Sequence, residues 1–260
     1  MAVKFLLFAA AAAVFVPVLA ITHLKLQRAL YSKLVTEFQI GPQEEIVKAH
    51  NALRRKVFPP ARNMLKMSWS TVAAGNARIL ARYCDTSESD PLERRLNNTF
   101  CGENRHLDRY PYSWSNIIEM WHNESKHFIY GEWPSSDDEF ETEHYTQMIW
   151  ATSYLIGCDV AWCRRQKAAT FLYVCHYCHE GNNPYTLNLP YKEGFPCGDC
   201  PNHCEDGLCK KPFLSPSCLT ASARISATVF NKSHCSEHPC IVPPSEGWWR
   251  KVTMSRLTQN

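Results

Sequence analysis

The sequence predicts an α+β fold in which helices pack on an antiparallel sheet. Three segments with apolar side chains at helical spacing come first, and they cover residues 43–57, 70–84 and 113–130. Three short segments rich in β-branched and aromatic side chains follow, at residues 145–150, 156–162 and 171–178. Helices that precede strands, instead of alternating with them, indicate an α+β domain.

The ends of the first two helices are marked by proline and serine. Pro42 suits the first turn of the first helix, and Pro59-Pro60 stops that helix because proline cannot continue it. Ser70 is a good N-cap for the second helix, since its hydroxyl can accept a hydrogen bond from a free backbone N–H. Both helices then carry an apolar stripe that faces a core.

The third helix breaks its own pattern at Glu124, which falls in line with Ile117, Trp121 and Phe128. A carboxylate facing a core requires a partner or a shifted pKa. One interpretation is that the helix face turns outward at this point. The other is a polar cleft, in which Glu124 meets Glu103 and the residue that begins the first predicted strand, His144. Such a group suits acid–base chemistry or zinc.

The N-terminus is typical of a secreted protein. Lys4 precedes an apolar run of about a dozen residues, too short to span a hydrocarbon layer of about 30 Å. We therefore predict a signal peptide over residues 1–20, with a retained signal anchor as the alternative. Three Asn-x-Ser/Thr sequons are predicted glycosylation sites in such a protein: Asn97, Asn123 and Asn231.

Thirteen cysteines support the same compartment, because disulfide-dense chains are found outside the cytosol. The number is odd, so at least one thiol has no partner within the chain. From about residue 182 the composition changes to Asn, Pro, Gly and Cys, which indicates a small extension held by disulfides.

The formal net charge of +3 is modest and does not indicate nucleic-acid binding. The two short basic runs, at residues 54–56 and 94–95, are predicted to lie on solvated faces. No second apolar stretch is long enough to cross a membrane.

Four motifs, in order, resemble those of the cysteine-rich secretory proteins of the CAP superfamily. They are HNALR at 50–54, CGEN at 101–104, EHYTQMIW at 143–150 and LYVCHYCHEGN at 172–182. The resemblance extends over residues 37–212.

This resemblance implies a three-layer α-β-α sandwich. It divides the chain into a CAP domain at 37–182, a cysteine-rich hinge at 183–212 and a divergent tail at 213–260. It also implies five disulfide bonds, which cysteine spacing alone does not determine: Cys84–Cys163, Cys101–Cys178, Cys158–Cys175, Cys197–Cys204 and Cys200–Cys209.

The same resemblance implies a cleft with two histidines and two glutamates. Glu103, Glu124 and His144 match three of these positions, but Glu88 stands where the family usually has the second histidine. Zinc in the family is expected on the two histidines. We therefore expect no required cofactor and only weak zinc binding by His144 with Glu88, since carboxylates are acceptable zinc ligands.

The tail departs further from the family. After residue 212 the family continues with six cysteines of an ion-channel-regulator module, whereas this chain has Cys218, Cys235 and Cys240. The tail has no sustained apolar period, so it is not expected to bury a core. We predict that residues 213–260 are mobile and dispensable for the fold.

The resemblance implies an extracellular, non-enzymatic protein that binds sperm and egg surfaces in sperm maturation and fertilisation. The candidate gamete-binding residues are Leu172, Tyr173, His176, Tyr177, His179, Glu180 and Asn182. The alternatives are regulation of cation channels, sterol or lipid binding, and hydrolysis. Hydrolysis would use His144 as base and requires a nucleophile within hydrogen-bond reach of it.

Overall fold

The computed structural model describes residues 21–96, 99–133, 141–165 and 168–210. Several predictions concern residues outside these ranges: the signal peptide at 1–20, the sequons at Asn97 and Asn231, and the tail at 213–260. They stay predictions.

The described helices are short. They are α1, described over residues 21–34, α2 (Ile40–Arg54), α3 (Thr71–Tyr83), α4 (Trp114–His122) and α5 (Glu143–Ile149), with a 3₁₀ helix at Asn123–His127. Ser70 caps α3 as expected, because its hydroxyl accepts a hydrogen bond from the Ala73 N–H. None of the described helices has the length and apolarity needed to span a bilayer.

Four strands form the main sheet in the order β1-β3-β4-β2: β1 (Ser68–Trp69), β2 (Cys101–Asp108), β3 (Leu155–Arg165) and β4 (Ala168–Cys178). β4 pairs antiparallel with both β2 and β3, whereas the two-residue β1 runs parallel to β3. Two further short strands, β5 (Cys204–Glu205) and β6 (Leu208–Cys209), form a hairpin.

The sheet is covered by helices on both faces. Side chains from α2, α4 and α5 pack with Tyr173, Cys175 and Tyr177 of β4. The alternate residues Leu172 and Val174 pack with α3 on the other face. The α+β class and the three-layer arrangement of the CAP fold are therefore confirmed.

The sequence analysis predicted a strand at residues 145–150, and this prediction is wrong. Residues 145–149 belong to α5, which begins at Glu143 and buries most of its side chains, and Trp150 is the residue that follows the helix at its C-terminus. A short apolar run has no clear period, so a fully buried helix of two turns and a buried strand look alike in sequence. The predicted third helix is also shorter than expected, because α4 ends at His122 and the 3₁₀ helix follows.

The two basic runs are not simply solvated faces. Arg54 is buried, and its guanidinium donates hydrogen bonds to five backbone carbonyls: those of Leu65, Met148, Trp150, Ala151 and Ser153. Arg94 is buried as well and pairs with Glu88. Arginine suits such positions because its five N–H groups can each find an acceptor.

All five disulfide bonds that the family resemblance implies are present. The two in the cysteine-rich segment lie beside the loop that follows α2. The Cys209 N–H donates to the Met64 carbonyl, and the Lys66 N–H donates to the Cys209 carbonyl. Lys66 also pairs with Glu205, and Leu208 is fully buried in the main core. This described part of the hinge is thus packed on the main domain.

Candidate functional site

An open cavity of about 620 Å³ lies where the start of α5 meets the start of β2. Polar and charged side chains dominate its lining, and carboxylates outnumber cations. The charged lining residues are Glu88, Arg94, Glu103, Arg105, Glu141, Glu143, His144 and Glu180. The cavity is therefore suited to a polar ligand and carries an excess of negative charge.

One wall of this cavity holds a partly exposed histidine–carboxylate pair. His144, in the first turn of α5, donates from Nδ1 to Glu124 Oε1 at 2.6 Å, and the Tyr145 N–H donates to Glu124 Oε2 at 3.0 Å. The indole of Trp121 stacks on the imidazole. Glu124 takes this position because α4 changes to a 3₁₀ helix just before it.

Burial and nearby charges have opposite effects on the pKa of the His144 imidazole. Burial lowers its pKa, but the hydrogen bond to Glu124 and the charges of Glu124, Glu141 and Glu143 outweigh burial and leave the pKa raised. His144 Nε2 makes no hydrogen bond to any residue in the described ranges. The ring therefore presents one unengaged nitrogen beside a partner that favours its protonated form.

A second histidine–carboxylate pair lies deeper. His176 of β4 donates from Nε2 to Glu103 Oε2 at 3.0 Å, and Arg105 donates to both Glu103 oxygens. Burial raises the pKa of Glu103, but the hydrogen bonds from His176 and Arg105 outweigh it and hold the pKa at about 2. Burial lowers the pKa of His176, more than Glu103 raises it. We conclude that a neutral imidazole faces an ionised carboxylate.

The structure therefore brings Glu103 and His144 to one cavity, with Glu124 directly behind His144. It does not join all three in one cluster, since Glu103 is bonded to His176 instead. Sequence reasoning missed this role of His176. The pairing register of β2 with β4 would have indicated this contact, because Glu103 is directly opposite His176. That register can be used only when it is known which strands pair.

Gln147 is a further site residue that the sequence analysis did not single out. It is buried between Gly102 and Gly181, and a Cβ atom at either glycine would collide with its side-chain amide. Its Nε2 has no hydrogen-bond partner among the described residues. The Gly in the CGEN motif thus leaves the space that the Gln side chain of the EHYTQMIW motif occupies.

A buried chain of hydrogen bonds links the HNALR motif at 50–54 to the cavity. His50 of α2 donates from Nδ1 to the Ile46 carbonyl, and its Nε2 accepts from the Tyr177 hydroxyl at 3.0 Å. The Asn104 amide then donates to the Tyr177 hydroxyl and to the His144 carbonyl. Burial lowers the pKa of His50 to about 4. This histidine is therefore a neutral structural group that fixes the backbone of His144.

The donor set at the cavity does not fit a tightly held zinc ion. Glu88 Oε1 accepts from Arg94 Nη2 at 2.8 Å, and His144 Nδ1 is engaged by Glu124. Three convergent metal-ligand atoms occur within the described ranges only at Cys197, Cys200 and Cys209. Those sulfurs belong to disulfide bonds and are not thiolates. Among the described residues, His144 Nε2 is not joined by two further histidine, cysteine or carboxylate atoms at metal-binding distance, whereas zinc sites use three or four ligands.

Most of the predicted gamete-binding residues are inaccessible. Leu172, Tyr173, His176 and Tyr177 are fully buried, because β4 is covered by helices on both faces. For these four side chains direct contact with a partner is ruled out in the folded protein. Of the remaining three, Glu180 is exposed and Asn182 half-exposed at the cavity, and His179 is exposed directly before them in the chain.

The predicted sequon at Asn123 is compatible with the structure. Asn123 is exposed at the start of the 3₁₀ helix, next to Glu124.

Comparison with known proteins identifies relatives over most of the chain. Residues 47–177 match the family described as CAP, the cysteine-rich secretory protein family. The chain is 58% identical to Cysteine-rich secretory protein 1 of Macaca mulatta over 214 residues, which is 82% of this chain and 85% of that protein. It is 48% identical to Cysteine-rich secretory protein 2 of Cavia porcellus over 68% of this chain and 70% of that protein.

Solved structures show the same fold. Na-ASP-1 matches with a TM-score of 0.55 and 26% sequence identity, over 64% of this chain and 46% of that chain. BmVAL-1 matches with a TM-score of 0.51 and 26% identity, over 66% of this chain and 94% of that chain. Motifs, fold, disulfide bonds and relatives agree: this chain belongs to the cysteine-rich secretory protein family and resembles its type 1 members.

Proposed function

We propose that this chain is a secreted, non-enzymatic glycoprotein that binds sperm and egg surfaces in sperm maturation and fertilisation. Its similarity to Cysteine-rich secretory protein 1 of Macaca mulatta supports this role. The observation that carries the non-enzymatic part is the state of His144. Within the described residues it hydrogen-bonds to Glu124 and to no hydroxyl, and every described cysteine is in a disulfide bond. The hydrogen bond between His144 and Glu124 stabilises the protonated imidazole and does not activate a nucleophile.

The binding surface in this proposal is the rim of the cavity at residues 179–185. Asn182 adopts a left-handed conformation with φ of 51°. Its Oδ1 accepts from the Thr146 hydroxyl, and its Nδ2 donates to the Glu143 carbonyl. The exposed Glu180 and Tyr185 are thus presented by a segment that is tied to α5. A surface fixed in this way loses little conformational entropy on binding.

Labelled protein, expressed with its full chain and secreted, should bind to sperm and eggs of the source species in a saturable manner. Glu180→Lys should reduce binding at least about tenfold, because it reverses an exposed charge on the rim. Glu132→Lys makes the same change at another exposed position and should leave binding intact. The proposal fails if neither gamete binds the protein, and the rim assignment fails if both variants bind equally well.

A further inference from the structure

Helix α1 is amphipathic, but the domain covers only part of its apolar surface. Tyr31 contacts Trp162 and Phe171, and Leu34 is buried in the main core. The Trp114 indole N–H also donates to the Leu34 carbonyl at 2.8 Å. These anchors all lie in the last turn of the helix. The turns before it therefore extend along the surface without being buried.

The uncovered turns carry large apolar side chains. Leu26 and Leu30, one helical turn apart, are 58% and 39% exposed. Ile21 and Leu24 are also about half exposed. Leu26 and Leu30 continue, at i+4 spacing, the stripe that ends at the buried Leu34, so the helix presents an exposed apolar patch beyond its anchors.

The turn after α1 exposes further apolar side chains. The Gln39 amide donates to the Ser32 carbonyl at 2.9 Å, which holds the turn against the end of the helix. Phe38 is 95% exposed, and its backbone has φ of 61°, a conformation that is rare for a bulky residue. Ile40 is exposed beside it. The local backbone thus directs an aromatic ring into solvent.

The same surface is basic and contains no acid. Residues 21–36 include Lys25, Arg28 and Lys33 and no Asp or Glu. None of these three cations forms an ion pair within the described residues. The first acid after them, Glu37, is already paired with Arg78 and Arg82. The positive charge beside the apolar patch is therefore uncompensated.

We propose that α1 and Phe38 form a docking surface for anionic lipid bilayers, which we call the α1 surface (residues 21–34, 38 and 40). Exposed Leu, Ile and Phe side chains enter the boundary between headgroups and acyl chains, while Lys and Arg contact anionic headgroups. A second copy of this chain is a poor occupant, because pairing two such surfaces would bring like charges together. The α1 surface is separate from the cavity and requires no metal.

The test is flotation of the full-length secreted protein with vesicles. The protein should bind vesicles of phosphatidylcholine containing about one-third phosphatidylserine and should not bind vesicles of pure phosphatidylcholine. Binding should weaken as salt is raised, because the Debye length falls from about 10 Å at 0.1 M to about 3 Å at 1 M. Absence of binding to the anionic vesicles would overturn the proposal.

Two double variants locate the surface. Leu26→Gln with Leu30→Gln removes apolar area, and Lys25→Glu with Arg28→Glu reverses charge. Each should weaken binding at least about tenfold. The control for the apolar variant is Leu92→Gln. The control for the charge variant is the double variant Lys56→Glu with Lys126→Glu. Both make the same kind of change at exposed positions elsewhere. The four substituted positions on α1 are exposed, so the thermal midpoints of the two test variants should not differ from that of the wild type. Equal binding by test and control variants would overturn the assignment.

Sedimentation of the protein without lipid completes the test. A monomer that binds anionic vesicles supports the proposal. Concentration-dependent dimerisation that disappears in the Leu26→Gln, Leu30→Gln variant would show that a second copy occupies the α1 surface instead, and would overturn it. Gamete binding through the cavity rim is scored separately with Glu180→Lys, so failure of one proposal does not imply failure of the other.

Discussion

The two histidine–carboxylate pairs, His176–Glu103 and His144–Glu124, use the same side-chain types at similar distances but in different surroundings. The side chains of the first pair are almost completely buried, and Arg105 is a third member of the group. The second is partly exposed and has additional carboxylates nearby. As a result the pKa of His176 is lowered, whereas the pKa of His144 is raised.

A His–Glu contact alone therefore does not define a functional site. Arg105 supplies the positive charge that Glu103 needs, so His176 can remain neutral in a buried position. Glu124 pairs with no arginine among the described residues, and its positive partner is His144. The buried group therefore stabilises the fold, and the exposed group is available to ligands and protons.

The largest expected effect is on stability. Glu103→Gln should lower the free energy of unfolding by about 3–5 kcal/mol, because it removes the charge that Arg105 requires in a buried site. Glu124→Gln, in the partly exposed pair, should cost only about 1 kcal/mol. Urea unfolding at pH 7 measures both. Equal losses would show that burial does not separate the two pairs.

The next effect concerns zinc. Glu88→His adds an imidazole at the cavity and removes the acceptor of Arg94, so zinc affinity should rise at least about tenfold over the wild type in calorimetric titration. Glu93→His, on the neighbouring exposed turn, is the control and should bind no more tightly than the wild type. If Glu88→His gives no gain, position 88 does not act with His144.

A smaller effect is the pH dependence of the exposed pair. Because the folded pKa of His144 is raised, the pair contributes its full stability below the unfolded pKa of about 6.5 and loses it as pH rises through the folded pKa. The stability difference between wild type and His144→Asn should therefore be larger at pH 5.5 than at pH 9. A difference that is constant across this range would contradict the charged pair.

The stability contribution of Glu103 should depend on pH in the opposite direction. Its folded pKa of about 2 lies below the unfolded value, so its contribution is present above about pH 4.5 and is lost as pH falls toward 2. The difference between wild type and Glu103→Gln should thus stay constant from pH 5.5 to 9. This constancy is the internal control for the His144 experiment.

The smallest expected effect is that of removing the tail. Both pairs and their supporting contacts lie within residues 21–210, so deletion of 213–260 should leave secretion yield unchanged and the thermal midpoint within about 2 °C. A loss of several degrees, or of secretion, would show that the tail contributes to the fold and that our prediction of its dispensability is wrong.

Sequence alone predicted the parts of the site that disturb a pattern. Glu124 was identified because a carboxylate fell in an apolar stripe, and its pairing with His144 agrees with that reasoning. The helix α5 was missed because its side chains are buried on nearly all sides, which removes the period that distinguishes helix from strand. His176 was missed because its partner comes from another strand, and pairing register is a tertiary property.

The burial of Arg54 is a further feature that the sequence alone does not predict. A basic run next to a proline-rich loop is usually solvent-facing, and nothing local indicates otherwise. Its burial depends on carbonyls from α5 and the turn after it, about 100 residues away in sequence. Only the assembled fold brings these acceptors together.

The burial of β4 on both faces has a consequence for immunological and peptide reagents. Residues 171–178 have no exposed side chain in the folded protein. An antibody raised against that linear peptide should recognise the denatured chain on a blot and fail to precipitate the native protein. A synthetic peptide of the same sequence would display groups that the native surface never shows, so any effect it had on gametes would not report how the folded protein binds them.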